Sequence, residues 1–338
     1  MSAAPHAAAA APLVTVITPY YNRAEHVTES IQSLLSQTYP NLEIIAVDDG
    51  STDDTLARLK GFSDPRYRVL AKQNGGLVSA LRQAIGEARG SLIAIHGSGD
   101  LSHPERIARQ VEAMASSPEV GVVGCWVHNG VRRKEGYFLL KPPNGLPFTP
   151  TLLERNLFTH GEAMFRRDVY DRVGGYRTLF RHGQDLDLWL RMSRHCDYRI
   201  VEEPLYTRLG MRQSVSGNTA RLLLQQRLAE FARQSCESVL AGGKDLIDAH
   251  GDVAPFYAKR STRLSKELYT LGYGFLIGLR DPSGWSLIEA ALEEKPTLGI
   301  RLRAAFLALH RNEILFWRVL MPLKRLLTGG GRKVPGPT

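Results

Sequence analysis

Cysteine is scarce. Cys125, Cys196 and Cys236 are the three in 338 residues, far apart and without a Cys-x-x-Cys pair. That excludes a disulfide framework and a zinc ribbon, and reduced, buried thiols in a cytosolic setting are expected. Long hydrophobic runs are also missing: nothing approaches the roughly 18 apolar residues of a membrane-spanning helix. Residues 1–12 are alanine-rich without a basic start, which reads as a disordered leader rather than a secretion signal. Acids are nearly absent from the end of the chain. Between Arg301 and Lys333 eight Lys or Arg face one acid, Glu313, so this segment carries +7 of the net +9. The first 300 residues are therefore nearly neutral, which argues against a nucleic-acid-binding face there. Otherwise the composition, 43% hydrophobic and 23% charged, is that of a globular protein with one large core or two smaller ones.

The chain is organised around Val14–Asp54. Val14, Val16 and Ile17 form a short apolar run ending at Pro19. Val27, Ile31, Leu34 and Leu35 then recur at the spacing of a helix with one buried face. Leu42–Val47 is a second apolar run, stopped by Asp48, Asp49 and Gly50. This is a βαβ pattern with polar groups just past the strand ends, where open α/β sheets bind ligands. Ser51 with Asp54 reads as a helix start, and Arg66–Leu70 as a third strand. Lys72–Gly76 is a polar loop in which Gly75 permits close approach of a ligand. A helix is expected over Leu77–Ala88, carrying Arg82 and Gln83, and a buried strand over Leu92–Ile95.

Pro19, Tyr21, Asn22 and Arg23, followed by Asp48, Asp49, Gly50, Ser51 and Asp53, strongly resemble the nucleotide-binding start of family 2 glycosyltransferases. The resemblance implies a GT-A fold, a mixed, mostly parallel α/β sheet flanked by helices. It implies a sugar–nucleotide donor near Tyr21, Asp49 and Arg82. One departure stands out. The family runs the fourth strand into an Asp-x-Asp-Asp loop whose acids hold a divalent cation; this chain reads His96-Gly97-Ser98-Gly99-Asp100. Downstream the pattern resumes, with Ser102 and Glu105 read as a capping box, Pro104 in the first helical turn, and Ile107, Val111 and Met114 as the apolar stripe. Three readings stay open. Asp100 alone ligates Mg²⁺ or Mn²⁺ with water and diphosphate; cations such as Lys72 or Arg82 replace the metal; or the site is inactive.

Glu119–Trp126 reads as a buried strand, Arg132–Lys134 as a solvated basic loop, and Pro142–Pro150, with four prolines, as a linker. It divides residues 13–218 into a nucleotide-binding half (13–141) and an acceptor half (151–218). In the acceptor half, His160 and Gly161 precede a helix broken at Val173–Tyr176, a block that resembles the family's approach to its catalytic acid. Gln184 and Asp185 open the next helix where the family usually has Glu-Asp. The resemblance implies that Asp185 is the base of an inverting transfer; read without it, Asp185 is a helix N-cap. Asp187 points off that face. Some relatives carry a metal-binding His shortly after the position of Arg208; here stand Gly210 and Met211, leaving Arg208 and Arg212 as diphosphate partners.

After Ala220 the resemblance ends. Residues 219–328 read as a helical extension, with helices at Leu222–Leu240, Ala254–Leu279 and Trp285–Leu292, and residues 329–338 as a frayed tail. About Arg301–Leu327, Leu302, Phe306 and Trp317 stand beside basic residues, which suits either contact with an anionic membrane surface or a packing helix with a solvated face. The expected protein is a cytoplasmic glycosyltransferase, peripheral on the membrane if that helix binds it. It would move sugar from a nucleotide-diphosphate donor to a glycan, lipid-linked or protein hydroxyl. Its rival is a catalytically degenerate sugar-nucleotide sensor or scaffold. A nucleotidyltransferase fits poorly, because Pro-Tyr-Tyr-Asn-Arg stands where that chemistry needs a Gly-rich basic loop.

Overall fold

The computed structural model describes residues 11–131, 138–210, 219–279 and 281–309. The basic triplet 132–134, Met211, Arg212, residue 310 onward and most of the alanine-rich leader lie outside them. The chain forms two compact units, Met1–Met211 and Arg212–Thr338.

The first unit opens with β1 (Val14–Tyr20), α1 (Val27–Leu35), β2 (Leu42–Asp49), α2 (Thr55–Leu59), β3 (Tyr67–Lys72), α3 (Leu77–Glu87) and β4 (Leu92–Ile95). All eight residues of β2 are buried, which is what a strand covered on both faces of a parallel sheet requires. There follow β5 (Leu101–Ser102), α4 (Arg106–Ala115), β6 (Val120–Val131), β7 (Phe138–Leu140), α5 (Phe148–Glu154), β8 (Met164–Arg166), α6 (Arg167–Arg172), α7 (Gln184–Met192) and β9 (Asp197–Gly210). The nine strands make one sheet in the order β3-β2-β1-β4-β8-β6-β9-β5, with β7 on β6. The β3-β2-β1-β4 ladders and the long β6–β9 ladder are parallel; the short ones through β8, β5 and β7 are antiparallel. Val14, Val16, Leu34, Ile44, Ile107 and Met114 share one core beneath the sheet.

Several local readings need correction. Ser51 does not cap α2. Its hydroxyl accepts from Asn22 N at 3.0 Å, while Asp53 Oδ1 accepts the Thr55 amide at 3.0 Å. Ser102 lies in β5, four residues before α4, and its hydroxyl accepts from Arg106 rather than closing a capping box. The proline-rich stretch ends inside α5, with Pro150 in the first turn, where a missing N–H costs nothing. Cys125 and Cys236 are buried as expected, whereas Cys196 is only half-buried.

The second unit contains α8 (Thr219–Leu240), α9 (Leu246–His250), α10 (Thr262–Tyr273), α11 (Gly284–Glu293) and α12 (Leu298–Leu309). The expected helix over 254–279 is broken. Residues 251–257 form a 3-10 segment around Pro255, and Ser261 caps α10 by accepting the Leu264 amide. Gly272 and Gly284 face each other so closely that a Cβ on either would meet the other's carbonyl oxygen within 2.7 Å. This lets α10 and α11 approach, burying Leu268, Leu287 and Ile288.

Candidate active site

The polar residues singled out in the first unit gather past the carboxyl ends of β1, β2, β3 and β4. After β1, Tyr21 is 48% exposed and Asn22 has φ 51°, a left-handed conformation that Asn tolerates. Asn22 Oδ1 accepts the Thr52 amide at 2.8 Å, so this side chain ties two loops together. Pro19 lies within β1 opposite Val47, and the Arg23 amide donates to Thr55.

At the end of β2 the two aspartates differ. Asp49 is the hub of the next loop: Oδ1 accepts from Lys72 Nζ at 2.7 Å and Gly75 N at 3.0 Å, and Oδ2 from Gly76 N at 2.8 Å. Its place in the site is to shape the backbone around Gly75. Asp48 is also buried and receives Ser51 N on Oδ2, but its Oδ1 is enclosed with no hydrogen-bond partner. A buried, unfilled acceptor asks for a donor. Asp48 was legible as part of the motif, but not as the carboxylate with the vacant oxygen.

Beyond β4 the backbone turns through His96–Asp100. Asp100 Oδ2 accepts from the Tyr206 hydroxyl at 2.7 Å and Oδ1 from Leu209 N at 2.9 Å. Burial pushes its carboxyl up to about 6, against the pull of those two donors and of Arg208 and Arg106. Beneath the turn, Arg106 is fully buried and donates to Ser102 Oγ and to the Ile95 carbonyl. Its guanidinium also lies 4.9 Å from the Tyr206 ring centre.

These residues do not fit a cation held in the family's manner. Gly97 and Gly99 offer no carboxylate, and both Asp100 oxygens are already engaged. Among the described residues no three His, Cys, Asp or Glu converge as a metal site.

The third wall is the 156–162 loop with α7. Asn156 Nδ2 donates to Asp185 Oδ2 at 2.8 Å, while its Oδ1 takes the Phe158 amide at 3.3 Å. That second bond fixes which way the amide points. Gly183, not Asp185, is the N-cap of α7; Asp185 is the second helical residue and half-buried beside buried Gln184. Asp187 is spent internally on Arg191 at 2.6 Å and Arg177 at 3.5 Å. His160 has φ 71°, an uncommon conformation for a side-chain-bearing residue, and shares a 2.8 Å hydrogen bond with Tyr176. Burial lowers its imidazole below the usual range, and the charge of Asp185 opposes that shift. Next to it, a Cβ on Gly161 would meet Tyr206 Oη at 2.3 Å and Gly97 N at 3.2 Å. One turn thus touches the Asp100 loop with Gly161 and the Asp185 helix with His160.

Arg82 is exposed on α3, and its charge acts on the Tyr170 phenol, which in turn accepts the Tyr176 amide. Arg212 lies outside the described residues. A cavity of about 570 Å³ is lined by Leu101, His103, His128, Glu203 and Thr207, but by none of Asp100, Tyr206 and Asp185.

The chain is similar to known glycosyltransferases in sequence and in fold. The sequence profile of glycosyl transferase family 2 matches residues 15–174. Over 190 residues the chain is 35% identical to glycosyltransferase EpsE of Bacillus subtilis (strain 168), covering 53% of this chain and 66% of EpsE. It is 32% identical over 191 residues to the O-antigen biosynthesis glycosyltransferase WbnJ of Escherichia coli, covering 54% of this chain and 73% of WbnJ. It spans only 20% of the Pasteurella multocida chondroitin synthase, at 27% identity. Among solved structures, the mannosyltransferase PcManGT of Pyrobaculum calidifontis, in complex with GDP-Man and Mn²⁺, superposes with TM-score 0.53 at 21% identity, covering 95% of this chain and 86% of that one. Staphylococcus aureus TarS 1–349 with UDP-GlcNAc gives 0.53 at 15%, covering 77% and 81%. These structures share the GT-A fold expected from the motifs. With a relative at 32% identity covered over 73% of its length, and the family profile matching residues 15–174, the chain belongs to glycosyl transferase family 2.

Proposed function

We propose that this chain is an inverting glycosyltransferase that moves a sugar from a nucleotide-diphosphate donor to an acceptor hydroxyl. The observation that carries the reading is the single 156–162 turn, which meets the Asp100 loop on one side and the Asp185 helix on the other. A donor held at the first loop and a base held at the second are then neighbours. Asp185 takes the proton from the acceptor hydroxyl as its oxygen attacks the anomeric carbon. The bond from that carbon to the diphosphate oxygen breaks, and the nucleoside diphosphate leaves. Asn156 holds one carboxylate oxygen and leaves the other for the proton.

Asp48 Oδ1 is the acceptor for a ring N–H of the donor's base, a group that uracil and guanine have and adenine and cytosine lack. The solved relatives hold UDP-GlcNAc and GDP-Man, whose bases both meet this requirement. Tyr21, Arg82 and the Gly75 backbone line the same end of the sheet, with Arg208 toward the diphosphate. Two of the family's three loop acids are glycine here and the third, Asp100, is engaged by Tyr206 and Leu209, so charge on the leaving group falls to protein cations. EpsE and WbnJ suggest glycan assembly, with a glycan, lipid-linked or protein acceptor. No described helix is long and apolar enough to cross a membrane. A cytoplasmic enzyme that touches an anionic membrane through its basic end fits the exposed apolar residues of α12. A silent sensor or scaffold has no use for a carboxylate oriented by Asn156, and the inactive reading is set aside on that ground.

The test is transfer, or slow donor hydrolysis, from UDP- and GDP-sugars. Asp185→Asn should lower turnover at least a hundredfold with nucleotide affinity kept within a few-fold. Asp48→Ala should instead weaken UDP and GDP binding. Undiminished turnover in Asp185→Asn refutes the base assignment.

A further inference from the structure

The 96–100 turn is built in a way that excludes the acids it lacks. A Cβ on Gly97 would stand 2.3 Å from Asp100 Oδ2 and 3.2 Å from Tyr206 Oη. Gly99 has φ +93°, and a Cβ there would meet His26 Cβ at 2.9 Å. Neither position accepts an aspartate while the turn keeps this shape. What fixes the shape is Tyr206. Its oxygen accepts the Gly97 amide at 2.9 Å and its proton goes to Asp100 at 2.7 Å, so one hydroxyl spans the turn. The remaining oxygen of Asp100 is closed by Leu209 N on the same strand, β9.

Charge in the same place has the opposite sign from a metal site. Arg23, Arg106 and Arg208 all act electrostatically on Asp100. Arg106 also acts on buried Glu162, so three guanidinium groups stand against two carboxyls, Asp100 and Glu162. Arg106 is fixed below the turn by Ser102 and Ile95. Arg23 and Arg208 are half-buried beside it. Guanidinium groups pair well with phosphate oxygens and need no cation between. A nucleoside diphosphate laid over this turn meets fixed cations rather than a ring of acids that needs Mg²⁺ or Mn²⁺ to become attractive.

We infer that the donor site works without a divalent cation: Arg23 and Arg208 take the diphosphate, and Tyr206 is the positioning residue that locks Asp100 and the turn against them. This rests on the proposed function, since it presumes a nucleotide-diphosphate donor at the 96–100 turn. It departs from the GDP-Man and Mn²⁺ complex of the solved mannosyltransferase in assigning the metal's work to side chains.

Calorimetric titration of UDP, GDP, ADP, CDP and TDP into the full chain, with Mn²⁺, with Mg²⁺ and with EDTA, decides it. At least one nucleotide should bind in EDTA with an affinity within a few-fold of that in metal. Tyr206→Phe should weaken this metal-free binding about tenfold, the effect of losing a hydroxyl that holds a charged partner. Arg208→Ala should weaken it at least as much. Gly97→Asp, which returns the family's acid, should lose affinity in every buffer. Binding that appears only with metal overturns the inference and leaves the glycosyltransferase reading standing. A tenfold gain for Gly97→Asp in Mn²⁺ does the same, because it shows that the turn opens for a cation. Unchanged affinity in Tyr206→Phe removes the positioning role, even if the variant is less stable. Failure of all five nucleotides in all buffers removes the donor assignment itself.

Discussion

His96 is shut off from solvent at the centre of the site's polar network. Its Nε2 lies 3.0 Å from the Asp100 carbonyl, which can only accept, so the proton sits on Nε2 and Nδ1 faces Ser102 and Arg106. Burial and the Arg106 charge push the imidazole down to about 3. Between about 6.5 and 3 the unfolded chain therefore binds a proton at His96 that the folded chain refuses, and stability falls as pH falls. Asp100 works the other way: folded, it takes its proton near 6 and unfolded only near 3.8, so between these values it adds stability as pH falls. The opposing contribution is smaller because its window, from about 3.8 to about 6, is narrower than the one from about 3 to about 6.5 for His96. His96→Gln keeps a hydrogen-bonding side chain but removes the first slope. The variant should gain on the wild type by about 1 kcal/mol for each pH unit between about 6.5 and 4. Urea unfolding across that range measures the gap, and a gap that stays constant contradicts the neutral-histidine account.

Secondary-structure elements were legible wherever burial imposes a period. The α1 stripe Val27, Ile31, Leu34 is buried as read, because one face of that helix must meet the sheet. Caps were misread at Ser51 and Ser102 for a common reason: each hydroxyl is claimed by a residue from elsewhere in the fold, Asn22 in one case and Arg106 in the other. The site divides the same way. Asp100 and Asp185 stand in stretches that resemble the family's motifs, and the resemblance picks them out. Asn156 and Tyr206 act through pairing of distant strands and loops, 29 and 106 residues from their partners, which no local pattern records. Glycines separate these cases experimentally. Gly161 has no room for a methyl against Tyr206 and Gly97, so Gly161→Ala should cost about 1–3 kcal/mol and loosen nucleotide binding. Gly86, inside α3, has nothing within 4 Å of a Cβ, so Gly86→Ala should add roughly 0.5–1 kcal/mol through helix propensity. Denaturant titration of both variants checks this, and equal effects would mean that loop crowding is not what selects glycine at 161.

At the scale of the whole molecule, positive charge concentrates after residue 300, and α12 sets exposed apolar residues beside it. Helix α12 buries Ile300, Ala304 and Leu307 in the helical unit, yet Leu298, Leu302 and Phe306 on another face are 72%, 63% and 53% exposed. These three recur at i, i+4 and i+8, which makes a single stripe, and Arg301 and Arg303 are exposed among them. Six further Lys or Arg follow between Arg311 and Lys333 with one acid. An apolar stripe edged by cations suits the boundary between headgroups and acyl chains of an anionic bilayer. A stripe made only to pack on protein has no need of so one-sided a charge. The full chain should therefore sediment with vesicles containing anionic phospholipid, less so as salt is raised, and weakly with neutral vesicles. Leu302→Glu with Phe306→Glu should abolish that binding at little cost to folding, since both side chains are already exposed. Nucleotide affinity should be unchanged, because neither residue belongs to the unit that holds the proposed donor site. If the double variant still sediments with anionic vesicles, the α12 stripe is not the membrane contact.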